Sequence, residues 1–236
     1  MAYTTVPKST AYFEPELYVG TGSSRTISTL NFQSDFTWIK NRGTTDRHSL
    51  FDAVRAAPNM LSSNNYDPQS AQTSELTAFN TNGFTVNSAT SVNGSSANYV
   101  SWNWKAGTTS GIATDGTTTI TPSAYSFNQT SGFSIIKYSG NGVDGAYLPH
   151  GLGVSPKVMI VKRLVDTGWD WYVYHVALGN QKYLQLNETS AISSTNGMWG
   201  SYTPTSVNMK MSNDAQIGAS GKDYIMYCFA DVQGYS

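Results

Sequence analysis

The sequence predicts an all-β chain: two tandem jelly-roll or lectin-like antiparallel β-sandwich units from an internal duplication. Three observations lead there. Short apolar runs rich in β-branched and aromatic residues are bounded by Gly, Asn, Asp and Ser, the pattern of strands and turns. No segment sustains a helical apolar period long enough for a substantial helix. The hydrophobic blocks of residues 13–107 recur over residues 133–232, as in repeat architectures.

The repeat can be followed block by block. Phe13–Gly22 matches Phe133–Gly142, and Leu30–Lys40 matches Leu152–Lys162. Met60–Asn64 matches Tyr183–Asn187, and Asn98–Trp104 matches Asp223–Phe229. The offset grows only from 120 to 125, so the insertions are small and fall between blocks. Trp102 and Trp104 become Tyr227 and Phe229, which keeps two aromatics on one strand face. The blocks suggest seven or eight strands per unit.

The elements follow in order. Residues 1–12 precede the first block and read as an extended N-terminal arm. Unit one spans 13–107 and unit two 133–236. Phe36–Ile39 and Val158–Val161 are almost continuously apolar, which suggests strands buried on both faces. His48–Arg55 and its counterpart Trp171–Val176 read as a strand followed by a loop. Gly83–Val86 and Val207–Met209 alternate with period two. Residues 108–132, rich in Thr, Ser and Gly, are either a linker or a hairpin crossing between units.

Of the 236 residues, 12% are charged and 13% aromatic, with 15 Tyr and 6 Trp. An average soluble domain has roughly 25% charged residues. The net charge of −1 gives no electrostatic case for nucleic acid. The single cysteine, Cys228, cannot form an intrachain disulfide and reads as a small buried hydrophobe. No apolar run approaches the ~20 residues of a membrane helix. No signal peptide is legible at the start.

The chemical motifs are weak. Gly140–Gly145 has the spacing of a dinucleotide loop, but Leu148-Pro149-His150-Gly151 follows where that loop needs a helix. His48, His150 and His175 have no metal-ligand spacing. Asp170 with Glu188, or Asp144 with Asp166, could be imagined as a glycosidase pair, but sequence alone cannot set their separation. No catalytic residue, cofactor or metal site is expected, and the chain reads as a non-enzyme. The aromatics near loops are better candidates. Trp169, Trp171, Tyr172, Trp199 and Tyr202 lie among Asn, Ser and Gly, a setting used for stacking on sugars or protein partners.

The motifs also resemble a known family. They are Tyr18–Gly22, Leu30–Arg42, His48–Arg55, Tyr99–Gly107, Pro149–Arg163 and Ala230–Ser236, with Pro149 where the family has Gly. They resemble a domain of tailed bacteriophages, particularly those of marine bacteria and cyanobacteria, found in tail-fibre and other virion surface proteins. The resemblance implies a virion structural protein assembled in the host cytoplasm. A tail-fibre or tail-tip part for host attachment is the leading expectation. It would be joined to other virion proteins by the arm, would form a homo-oligomer such as a trimer, and would contact host surface glycan. A capsid decoration protein and a lectin-like carbohydrate-binding module are the alternatives, and a glycan-cleaving enzyme ranks last.

Overall fold

The structure, a computed structural model, describes residues 9–194, 198–199 and 202–233. Most of the expected N-terminal arm therefore lies outside the described residues, as does the 195–197 part of the loop near Trp199. After a short turn of 3-10 helix (Ser9–Ala11), the first half runs β1 (Phe13–Val19), β2 (Arg25–Ile27), β3 (Phe36–Asn41), β4 (Ser49–Asp52), β5 (Asn59–Ser62), β6 (Ser70–Ala71), β7 (Leu76–Asn80), β8 (Gly83–Val86) and β9 (Asn98–Trp104). The remainder runs β10 (Ala124–Asn128), β11 (Phe133–Ser139), β12 (Ala146–Pro149), β13 (Pro156–Arg163), β14 (Trp171–His175), β15 (Lys182–Gln185), β16 (Ser193–Ser194), β17 (Asn208–Met211) and β18 (Asp223–Ala230). The first half thus has nine strands, one more than the upper expectation, because β6 is a two-residue edge piece.

Among the described residues every strand pairing is antiparallel. The first large sheet has the order β1-β9-β3-β4-β5-β6, and the second has β10-β11-β18-β13-β14-β15-β16. Apart from β10, one order maps onto the other. The registers agree: Phe36 faces Trp104 as Val158 faces Phe229, and Trp38 faces Trp102 as Ile160 faces Tyr227. Each large sheet packs against a small one, β2-β8-β7 in the first half and β12-β17 in the second. Among the described residues no strand of one half enters the large sheet of the other. Segment 108–132 is more than a linker, because β10 forms the edge of the second sheet and pairs with β11.

The two large sheets face each other across a third apolar layer. Phe36, Leu50 and Leu61 of one meet Phe133, Ile135, Ile225 and Tyr227 of the other, with Trp38, Trp104, Ile160 and Phe229 packed at the margin. Phe36 stacks on Tyr227 at 4.4 Å between ring centroids. This arrangement explains the doubly apolar strands. Along β18, Ile225, Tyr227 and Phe229 point to the central layer, while Tyr224, Met226 and Cys228 point into the outer core. Each fully buried side chain of this kind contributes about 1.5–3 kcal/mol. The outer cores differ between halves. Thr37, Ser101 and Asn103 form a buried hydrogen-bonded cluster with Ser34 in the first. Met159, Met226 and Cys228 hold the corresponding places in the second, and burial pushes the Cys228 thiol up to about 12.

The Gly-x-Gly turns are the most closely repeated local structure. Tyr18 stacks on Tyr99, and Tyr138 on Tyr224, each pair at 5.2 Å. The Tyr18 hydroxyl donates to the Val92 carbonyl at 2.6 Å and that of Tyr138 to the Ile217 carbonyl at 2.7 Å. The second turn cannot cradle a phosphate. The N–H groups of Gly140, Gly142 and Gly145 already donate to the carbonyls of Lys222, Gly218 and Met211. A Cβ at Gly20 would lie 2.1 Å from the Gly94 carbonyl oxygen, and one at Gly140 would lie 2.4 Å from that of Ala219. Gly20→Ala and Gly140→Ala are each expected to cost about 1–3 kcal/mol by overpacking. Thermal unfolding checks this: unchanged midpoints in both variants would mean that the turns are not clamped.

Candidate functional site

The five aromatic candidates separate sharply. Trp171, Tyr172 and Trp199 are buried, which corrects their expected place on a contact surface. Trp171 belongs to the central layer, where its Nε1 donates to the Ser62 carbonyl of the other half at 2.8 Å. Tyr172 packs on Tyr183 inside the outer core. The Trp199 ring meets Tyr174 edge-on, and its Nε1 donates to the Lys182 carbonyl at 3.1 Å. A large amphipathic ring near a loop is as useful for closing a core as for greeting a ligand, and here the cores take all three.

Trp169 and Tyr202 remain at the surface. Trp169 is half-buried beneath the Arg163 guanidinium, which lies 4.2 Å from its ring centroid. Arg163 and Lys222 hold the Asp166 carboxylate there. Tyr202 is 49% exposed. The Lys210 ammonium sits between its ring and that of Tyr147, 2.8 and 4.7 Å from the two centroids. The structure does not bring these two aromatics into one concave site.

A concavity lies elsewhere, at the junction of the first half and β10. It is a groove of about 660 Å³ lined by Gln33, Asp35, Lys105, Ser123, Tyr125 and Ser126, among others. Its walls are firmly joined. Thr108 and Phe127 exchange backbone hydrogen bonds at 3.0 Å, and the Gly107 N–H donates to Ser126 Oγ at 2.8 Å. The Tyr125 hydroxyl accepts from the Ile112 N–H at 3.2 Å, which fixes the half-buried ring.

Asp35 is the most distinctive group in the groove. It is 6% exposed, and its Oδ2 accepts from the Ala106 N–H at 2.8 Å. Burial pushes its carboxyl up to about 6, with Asp52 adding to the rise and the Ala106 N–H and Lys105 opposing it. Asp35, Lys105 and Tyr125 were not singled out by sequence. They come from three separate blocks, and the only local signal was a carboxylate directly before an apolar strand. At the corresponding positions of the second half, Lys157 stands for Asp35 and Ala230 for Lys105.

The raised carboxyl has a consequence for stability. Between the ordinary value of 3.8 and about 6, the folded state holds a proton that the unfolded chain has lost. Stability from this group is therefore present below the lower value and falls as pH rises through the window. Asp35→Asn keeps an acceptor for Ala106 and is expected to remove this slope and to raise the urea midpoint near neutral pH. An unchanged midpoint-versus-pH curve would contradict the burial of the group.

His150 and Asp170 are held within the fold. His150 is buried, with Nδ1 accepting from the Leu152 N–H and Nε2 donating to the Thr205 carbonyl; burial lowers its pKa to about 4, so it is neutral. The Asp170 carboxylate accepts from Gln185 and Asn187 at 2.6 and 2.7 Å. Among the described residues no three His, Cys, Asp or Glu side chains group as metal ligands, and no helix is long and apolar enough to cross a membrane.

No curated protein and no solved structure matches the chain. A family model, described as a domain of unknown function, DUF7483, matches residues 8–236. With nearly the whole sequence covered, both sheet pairs and the groove between them lie inside the matched span, and the chain belongs to that family.

Proposed function

We propose that the protein is a structural component of a bacteriophage virion surface, a tail-fibre or tail-tip part that engages host glycan by binding rather than by chemistry. The observation that carries this reading is the groove beside Asp35: a cleft of mixed polar and apolar lining whose Asp35 and Lys105 have no like counterparts in the second half. Clefts of about 300–1,000 Å³ with a few convergent polar groups are the usual form of a small-ligand site. The motifs at Tyr18–Gly22, Leu30–Arg42 and Pro149–Arg163, which resemble the tailed-phage surface domain, support the virion assignment. In this reading the N-terminal arm attaches the protein to other virion proteins, and the assembled form is an oligomer such as a trimer.

A capsid decoration role is the second reading, and one observation favours it. Leu17 and Val19 are 62% and 54% exposed on β1, the edge strand of the first sheet, an apolar edge that a shell protein could cover. Immunogold labelling of purified particles, with quantification of copies per particle, separates the two. Label at the tail with tens of copies or fewer is expected. Label over the head with hundreds of copies selects decoration, and absence from purified particles removes both.

A further inference from the structure

We infer that the groove is a subsite for a neutral sugar ring, with Asp35 and Lys105 gripping one vicinal diol and the small apolar residues of the lining meeting the ring's C–H face. The inference deepens the glycan-binding reading above and rests on it, but it assigns the contact to a different place from the loop tryptophans.

The chemistry of the groove selects the ligand class. Asp35 Oδ2 is occupied by the Ala106 N–H, while Oδ1 has no protein donor among the described residues. Asp35 as a residue is 6% exposed, yet it lines the groove. One acceptor is therefore held rigid and left open toward the cleft. Lys105, the residue that follows β9, lines the same cleft, and its ammonium, 5.8 Å from the Tyr12 ring centroid, supplies donors but no acceptor. A cation would meet Lys105 and an anion would meet Asp35, so a charged ligand pairs with one group at the expense of the other. A hydroxyl pair suits both: one O–H donates to Asp35 Oδ1, and its neighbour accepts from Lys105 Nζ. Ala53, Val54 and Ala124 in the groove lining give the C–H face of a pyranose an apolar partner. Gln33 and Ser123, both exposed on the rim, offer further neutral hydrogen bonds. The volume of about 660 Å³ suits one or two rings rather than a long chain.

The test is titration of the intact protein with neutral methyl hexopyranosides, followed by amide NMR. The panel includes a deoxy analogue that lacks one hydroxyl of the diol. At least one glycoside is expected to shift the Ala106, Gly107 and Ser126 amides. Asp35→Asn and Lys105→Met are each expected to weaken that binding tenfold or more, with the cooperative unfolding transition retained. Loss of the diol should have a similar effect. Absence of shifts at these amides up to about 50 mM glycoside, a regime that still detects a Kd well above 1 mM, overturns the inference. So does binding that is unaffected by both substitutions. Particle labelling reads the virion assignment independently, so the two can fail separately.

Discussion

Asp52→Ala is expected to destabilise the protein by about 3–5 kcal/mol, the cost of removing one partner from a buried ion pair. Asp52 lies at the end of β4, and its side chain and that of Arg55 are fully buried. The carboxylate accepts from the Arg55 backbone N–H at 2.8 Å, from the Arg55 guanidinium, and from the Tyr227 hydroxyl of the other half at 2.7 Å. Arg55 also donates to the carbonyls of Leu50 and Asn59. Alanine would leave a guanidinium enclosed without its counter-charge and strand the Tyr227 hydroxyl in an apolar layer. Tyr227→Phe removes only one neutral partner and is expected to cost about 1 kcal/mol. Urea unfolding of both variants gives the comparison. An Asp52→Ala midpoint within error of the parent would mean that this network does not join the halves.

Trp171→Ala is expected to cost about 3–5 kcal/mol, the range for truncating a large aromatic in a core. The indole is fully buried between the large sheets, 6.4 Å from the Tyr227 ring by centroids, and its N–H reaches Ser62 across the layer. Trp171→Phe keeps most of the packing but leaves the Ser62 carbonyl without this donor, for an expected loss of about 1–3 kcal/mol. The same variants address the sugar-stacking expectation. Trp171→Phe should bind glycosides like the parent while melting earlier. Selective loss of binding at full stability would return Trp171 to the surface and overturn its placement in the core.

The strand framework was legible because its signals are local. Phe36–Ile39 and Val158–Val161 were near-continuous apolar runs, and the structure buries both faces of those strands, one against a small sheet and one against the other half. The pairs 102/104 and 227/229 were read as one-face aromatics, and Trp104, Tyr227 and Phe229 all pack on the central layer. The Gly140–Gly145 run was read as a turn rather than a nucleotide loop, and its amides are consumed by backbone carbonyls. Each reading needed only the period of two and the chemistry of turns.

The candidate site was legible only in part. Tyr202 is exposed, whereas Trp171, Tyr172 and Trp199 lie inside. Trp169 and Trp171 are two residues apart in the same stretch, and nothing local separates them. One lies under an arginine at the rim, and the other reaches a carbonyl 109 positions away in sequence. The groove was invisible for the same reason. Asp35 precedes β3, Lys105 follows β9 and Tyr125 lies on β10, so no spacing in the chain announces that they line one groove. The sequence alone determined the strands, their faces and their turns, because pleat period and turn stereochemistry act over a few residues. Only the tertiary structure decided which faces meet, which aromatics are sealed and which distant residues line one groove. Burial and convergence are properties of packed sheets, set by contacts that the local pattern does not encode.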